Sequence, residues 1–163
     1  MLTLQLPDAA ATETLGAAIA HALQTYPGAV IYLEGDLGAG KTTLARGFLH
    51  QLGVTGAVRS PTYTLLEHYT AGERRVLHMD LYRLSDPLEL GNLGLADFPY
   101  GSTYWLIEWP RRGGALLPPA VITVRLAQLG SRRLAVVEAN QVFGRDFDQD
   151  VEEFLRQRTK NQP

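Results

Sequence analysis

Gly35-Asp36-Leu37-Gly38-Ala39-Gly40-Lys41-Thr42 is the stretch that decides how this chain folds. It fits the pattern G-x-x-x-x-G-K-[ST], in which glycines let successive backbone N–H groups turn inward around phosphate oxygens. A helix starting at the end of such a loop adds the positive end of its dipole. In that chemistry Lys41 is a mobile cation for terminal phosphates and Thr42 a hydroxyl ligand for magnesium. The flanks supply the context the motif needs. Residues 29–33, Ala-Val-Ile-Tyr-Leu, are a short apolar run bounded by turn formers and predict a strand buried on both faces. Leu44, Phe48 and Leu52 recur at helical spacing, so a helix is predicted over 41–52, ended by Gly53. The chain has only two lysines, Lys41 and Lys160, against thirteen arginines. A compact ammonium therefore sits where a planar guanidinium fork would fit poorly.

Working outward, residues 3–6 read as a short strand and 12–23 as a helix with Leu15, Ile19 and Leu23 on one face. Beyond the turn-rich stretch 53–62, strands are predicted over 63–69 and 76–81 around Ala71-Gly72-Glu73-Arg74, a hairpin pattern. Asp86-Pro87 is an N-cap followed by a first-turn proline and predicts a short helix to about Leu93. Residues 104–107 read as a further buried strand. Strands over 120–126 and 133–139 flank Leu129-Gly130-Ser131, and a helix over 148–158 closes the chain. The expected fold is α/β and P-loop NTPase-like, a mixed sheet with parallel central strands, antiparallel hairpins and flanking helices.

Composition narrows the function. At roughly 150 residues per domain, 163 residues predict one domain over 1–163. The 15 Lys and Arg against 17 Asp and Glu leave a net charge of -2, so no global positive field gathers nucleic acid or anionic membrane. The absence of cysteine removes disulfides, thiolate zinc sites and thiol nucleophiles. No apolar run approaches the roughly 20 residues a bilayer requires, and the first cationic side chain is Lys41, which gives no basic leader. The expectation is a soluble, cytoplasmic protein with no membrane partner.

A phosphate loop needs a carboxylate for its metal, usually at the end of a buried strand, and two positions qualify. Asp80 ends Val76-Leu77-His78-Met79-Asp80, and Glu108 ends Tyr104-Trp105-Leu106-Ile107-Glu108. Ser60-Pro61-Thr62-Tyr63-Thr64 offers hydroxyls after the loop helix, where it reads either as a phosphate-sensing segment or as a turn entering a strand. His78 lies two residues before Asp80 and hence on the same strand face, where a lone histidine reads first as a core residue. Arg83 reads as a phosphate contact or a partner of Asp86. Guanine readers of the switch type carry a lysine-containing N-K-x-D motif, which two lysines at 41 and 160 do not supply. Adenine is the favoured base, with ATP and Mg²⁺ as cofactors.

Four motifs in order, G-D-L-G-A-G-K-T-T at 35–43, S-P-T-Y-T at 60–64, H-M-D-L-Y-R at 78–83 and E-W-P at 108–110, resemble the TsaE family, also called YjeE. The resemblance covers essentially the whole chain. It implies a small bacterial ATPase needed for threonylcarbamoyl modification of the adenosine beside the anticodon of tRNAs, working with TsaB and TsaD and reaching tRNA through that complex. It implies that Gly38, Ala39, Gly40, Lys41, Thr42 and Thr43 surround the triphosphate and that Thr42 and Glu108 meet Mg²⁺. Lys41, Asp80 and Glu108 would be the catalytic set, and residues 60–64 a switch loop. By the same resemblance the transfer chemistry belongs to TsaD, and this chain acts as a nucleotide-gated partner. Arg111 departs from the acidic or amide residue frequent after E-W-P in the family. Two other classes remain open on the residues: a P-loop small-molecule kinase with a lid built from Arg111-Arg112 or Arg132-Arg133, and an RNA-binding module using those pairs with Arg74-Arg75. Scattered arginine pairs on a net-negative chain weaken the second.

Overall fold

The computed structural model describes residues 1–141 and 144–160. Its elements run β1 (Leu2–Leu6), α1 (Ala9–Ala22), β2 (Ala29–Glu34), α2 (Lys41–Gln51), β3 (Leu66–Ala71), β4 (Arg74–Asp80), β5 (Tyr104–Glu108), β6 (Ile122–Leu129), β7 (Arg132–Ala139) and α3 (Gly144–Lys160). Because the side chains of β2 are apolar on both faces, this strand lies in the interior of the sheet, and β5 and β6 flank it in parallel. β4 adds in parallel to β5, and β3 folds back on β4 as an antiparallel hairpin. On the other edge β7 returns antiparallel to β6 and β1 pairs antiparallel to β7, giving the order β1-β7-β6-β2-β5-β4-β3. Parallel centre, antiparallel margins and flanking helices are the architecture expected from the sequence.

The two faces of the sheet are covered differently. On one, Ile31, Leu33, Leu106 and Val124 meet Leu15, Ile19, Leu44 and Phe48 of α1 and α2. Each fully buried leucine in that layer is worth about 2 kcal/mol. On the other, Val30, Leu77, Met79, Trp105 and Ile107 are covered by Leu84, Leu90 and Leu117, which lie in irregular chain and short 3-10 turns. α1 and α2 approach backbone to backbone: a Cβ on Gly16 would fall 2.0 Å from the Leu44 carbonyl oxygen, and one on Gly47 1.9 Å from that of Glu13. The contact admits only glycine at these two points. Arg46 and Glu13 pair across the same seam at 2.9 Å.

Several boundaries differ from the sequence expectation, each for a local reason. α1 starts three residues early because the Asp8 carboxylate accepts from the Ala11 amide at 2.8 Å, an N-cap. The strand expected from residue 63 begins only at Leu66. Leu65 closes a turn on the Pro61 carbonyl at 2.7 Å and takes a positive φ of 63°. Asp86 and Glu89 do form a capping box at Pro87, but the segment Pro87–Asn92 is 3-10 and short, with Gly91 inside it. The β6–β7 hairpin extends three residues past the predicted 126, and α3 is longer than 148–158. Among the described residues no helix is long and apolar enough to cross a membrane.

Candidate functional site

Strand register assembles the site. In the parallel pairs, Leu33 lies opposite Glu108 and Glu108 opposite Asp80, so neighbouring strands end together and deliver both carboxylates to one sheet edge. The glycine loop rises from β2 at that edge. Gly40, at φ 107°, occupies the N-cap of α2 in the left-handed region that only glycine enters freely, and no side chain caps the helix. The amides of Lys41, Thr42 and Thr43 consequently have no partner within the helix, and no acidic residue sits in the first turn to compete for them. These groups line a cleft of about 210 Å³ together with Gly38, Ser60, Thr62, Asp80 and Glu108.

Glu108 and Asp80 are both buried, and each is held by a different part of the chain. Oε1 of Glu108 accepts the Thr42 hydroxyl at 2.9 Å and His78 Nε2 at 2.8 Å. Oδ2 of Asp80 accepts the hydroxyls of Ser60 at 2.8 Å and Thr62 at 2.9 Å, while Oδ1 accepts the Tyr82 amide at 3.0 Å. The Lys41 ammonium donates to the carbonyl oxygens of Gly35 and Asp36 at 2.7 and 2.8 Å and lies 4.2 Å from the centre of the Trp109 ring. Burial pushes this ammonium below the usual lysine range, and the carboxylates of Glu108, Asp80 and Asp36 oppose part of that shift. Of the two described non-glycine residues with positive φ, Trp109 lines the cleft one residue after Glu108, and Leu65, just ahead of β3, accepts the Asp80 amide at 3.1 Å. Such backbone is costly and concentrates at functional sites.

The cleft's donor set fits a magnesium-chelated polyphosphate. The open amides and one ammonium suit phosphate oxygens. Among the described residues no group of three or more His, Cys, Asp or Glu side chains is placed to hold a metal. The cleft offers instead the hydroxyls of Thr42, Thr43, Ser60 and Thr62 and two carboxylates, a hard oxygen set of the kind that could hold magnesium.

Of the residues singled out from sequence, Gly38, Gly40, Lys41, Thr42, Thr43, Asp80 and Glu108 meet in this cleft. Ala39 sits beneath it: its amide donates to Asp36 O at 3.1 Å and its carbonyl accepts from Arg133 Nε at 3.1 Å. Arg83 stacks on the Tyr63 ring at 4.3 Å, while Asp86 serves as a helix cap. His78 is a core residue, as read, but it also holds Glu108. Sequence reasoning missed the Arg133 brace on the glycine loop, because no spacing rule links residues 94 positions apart. Of the arginine pairs considered for a lid, Arg132-Arg133 belongs to β7 and Arg111-Arg112 to a 3-10 turn after Trp109.

A glycine loop between a central parallel strand and a helix, faced by two strand-end carboxylates, defines an α/β protein of P-loop-like architecture. The family model described as threonylcarbamoyl adenosine biosynthesis protein TsaE matches residues 6–135, and the chain belongs to this family. It is 44% identical over 128 residues to the tRNA threonylcarbamoyladenosine biosynthesis protein TsaE of Haemophilus influenzae, covering 77% of this chain and 81% of the relative. The Bacillus subtilis protein of the same name is 40% identical over 118 residues, covering 72% of this chain and 73% of its own length. The crystal structure of Bacillus subtilis YdiB superposes with a TM-score of 0.73 at 30% identity, over 96% of this chain and 95% of that one.

Proposed function

We propose that this protein binds ATP with Mg²⁺, hydrolyses it slowly, and serves in the cytoplasm as the nucleotide-gated partner of TsaB and TsaD in threonylcarbamoyladenosine modification of tRNA. The carrying observation is the convergence of the Lys41 ammonium, the Thr42 hydroxyl and the carboxylates of Asp80 and Glu108 at the open amide end of α2. Lys41 would exchange its two loop carbonyls for the terminal phosphates, a stronger, charge-assisted pairing. Thr42 and Glu108, already joined at 2.9 Å, would hold the metal from one side. Bound magnesium supplies charge neutralisation on the phosphates. Asp80 would orient the attacking water, and because its carboxylate also holds Ser60 and Thr62, occupation of the cleft would be felt in the segment 60–65. That segment is the natural surface for a partner to read; the partners in this reading are TsaB and TsaD, with tRNA met through them.

Calorimetric titration of ATP into the folded protein, with and without Mg²⁺, tests the binding step; no heat in either case overturns it. Capture of TsaB–TsaD in the presence of a non-hydrolysable ATP analogue, compared with ADP, tests gating. Tighter association in one nucleotide state is expected, and equal affinity in both ends the gating idea. Turnover accelerated by a small phosphoryl acceptor would instead move the protein to the kinase class.

A further inference from the structure

We propose that His78 is a positioning residue for the metal-facing carboxylate: it fixes Glu108 in the rotamer that turns Oε2 toward the cleft. This rests on the reading of the cleft as a magnesium–nucleotide site. His78 stands in the middle of β4, and its side chain is fully buried on the face covered by α1 and α2. Across the sheet its partner on the inner side is Leu106 on β5, followed by Ile31 on β2, both aliphatic, while on the edge side it lies opposite Glu67 of β3. Nε2 meets Oε1 of Glu108, two residues further along the neighbouring strand β5, at 2.8 Å, and the carboxylate acceptor places the hydrogen on Nε2. Nδ1 is buried with no hydrogen-bond partner. A buried polar atom left unpaired costs stability, so an apolar residue would suit this core position better. What the imidazole gives in return is orientation. The same Oε1 that takes the His78 hydrogen also takes the Thr42 hydroxyl, so two donors on two rigid elements, β4 and α2, clamp one oxygen. The carboxylate is thereby left one rotamer and one available oxygen, the arrangement by which outer residues orient a metal ligand.

The test uses the full chain and measures the ratio of nucleotide affinity in Mg²⁺ to affinity in EDTA, by calorimetry with a non-hydrolysable ATP analogue, alongside thermal unfolding. His78→Leu is expected to fold with unfolding temperature equal to or above wild type. Its Mg²⁺/EDTA affinity ratio should fall by about tenfold or more, the scale of losing an outer-shell partner, while affinity in EDTA stays within about twofold. His78→Gln, which can bring an N–H near the place of Nε2, is expected to recover most of the ratio. If His78→Leu does not fold, the decision passes to His78→Gln against His78→Asn, whose shorter amide does not reach Glu108; a ratio at least several-fold higher for Gln supports the assignment. Equal ratios for the compared variants, or a ratio unchanged from wild type, overturn it. Failure of the underlying reading looks different: the wild-type protein itself then shows no nucleotide binding, or no response to Mg²⁺.

Discussion

Glu108 and Asp80 face one another across a single strand pair, yet the chain treats them as opposites. Glu108 is tied to Thr42 on a helix and to His78 inside a strand, both parts of the packed scaffold. Asp80 is tied to Ser60 and Thr62, which belong to a loop between α2 and β3 whose last residue, Leu65, has a positive φ. Burial is nearly equal at the two positions, 3% and 4% exposed, so the difference lies in what holds them, not in how deep they sit. A carboxylate anchored to scaffold can present a fixed geometry to a metal, whereas one anchored to a loop transmits what happens in the cleft to the surface. The site thus divides into a rigid half and a responsive half.

Mutations at the two carboxylates and their partners test this division. The largest effect is expected outside both carboxylates, at Lys41→Ala: removing the one ammonium in the cleft should cost about 3 kcal/mol, or ~10²-fold in ATP affinity by calorimetry. Next comes Glu108→Gln, for which Mg²⁺-dependent turnover should fall by about 10- to 100-fold while amide exchange in residues 60–65 stays as in wild type. Exchange in that loop accelerating in Glu108→Gln would erase the distinction between the two carboxylates. Asp80→Asn should lower turnover by about tenfold and also speed exchange across 60–65, because the loop's hydroxyls lose a charged acceptor. Ser60→Ala combined with Thr62→Val removes only the loop side of those bonds, about 1 kcal/mol each, so exchange should rise with ATP affinity little changed.

The smallest effect is electrostatic. Burial lowers the Lys41 ammonium in the free protein, so between that lowered value and the ordinary lysine range the unfolded chain binds more protons, and stability rises with pH across the window. A bound polyphosphate favours the charged amine and shifts it back upward. ATP binding should therefore take up a fraction of a proton at alkaline pH, seen as a heat that varies with the buffer's ionisation enthalpy, and affinity should decline as pH rises through the same window. Buffer-independent heats would place the Lys41 amine away from the phosphates.

Much of this was legible in the residues because it is local. The run from β2 through the loop to α2, and the strand ends at Asp80 and Glu108, follow from apolar periodicity and one glycine pattern, and the observed bounds depart by a residue. The failures share a cause: tertiary contact overriding local preference. Tyr63 and Thr64 have strand-like chemistry, but the hydroxyls of Ser60 and Thr62 reach back to Asp80 and bend the segment into a turn before β3 can start. Pro87 opens a helix as expected, yet the layer over Val30 and Met79 is built from 3-10 turns that no 3.6-residue pattern announces. The same limit hid the Arg133 brace and the second role of His78, since each depends on a partner brought close only by sheet register.

The glycine seam between α1 and α2 has a further reach. A methyl group on Gly47 would strike the peptide oxygen of Glu13, a group that cannot swing aside, and would wedge the two helices apart at mid-length. The first turn of the levered helix carries Lys41 and Thr42, so the damage would surface about two turns away, as a cradle lifted off its carboxylates. The amino-terminal helix supplies no side chain to the cleft, but it sets the height of the cleft's floor.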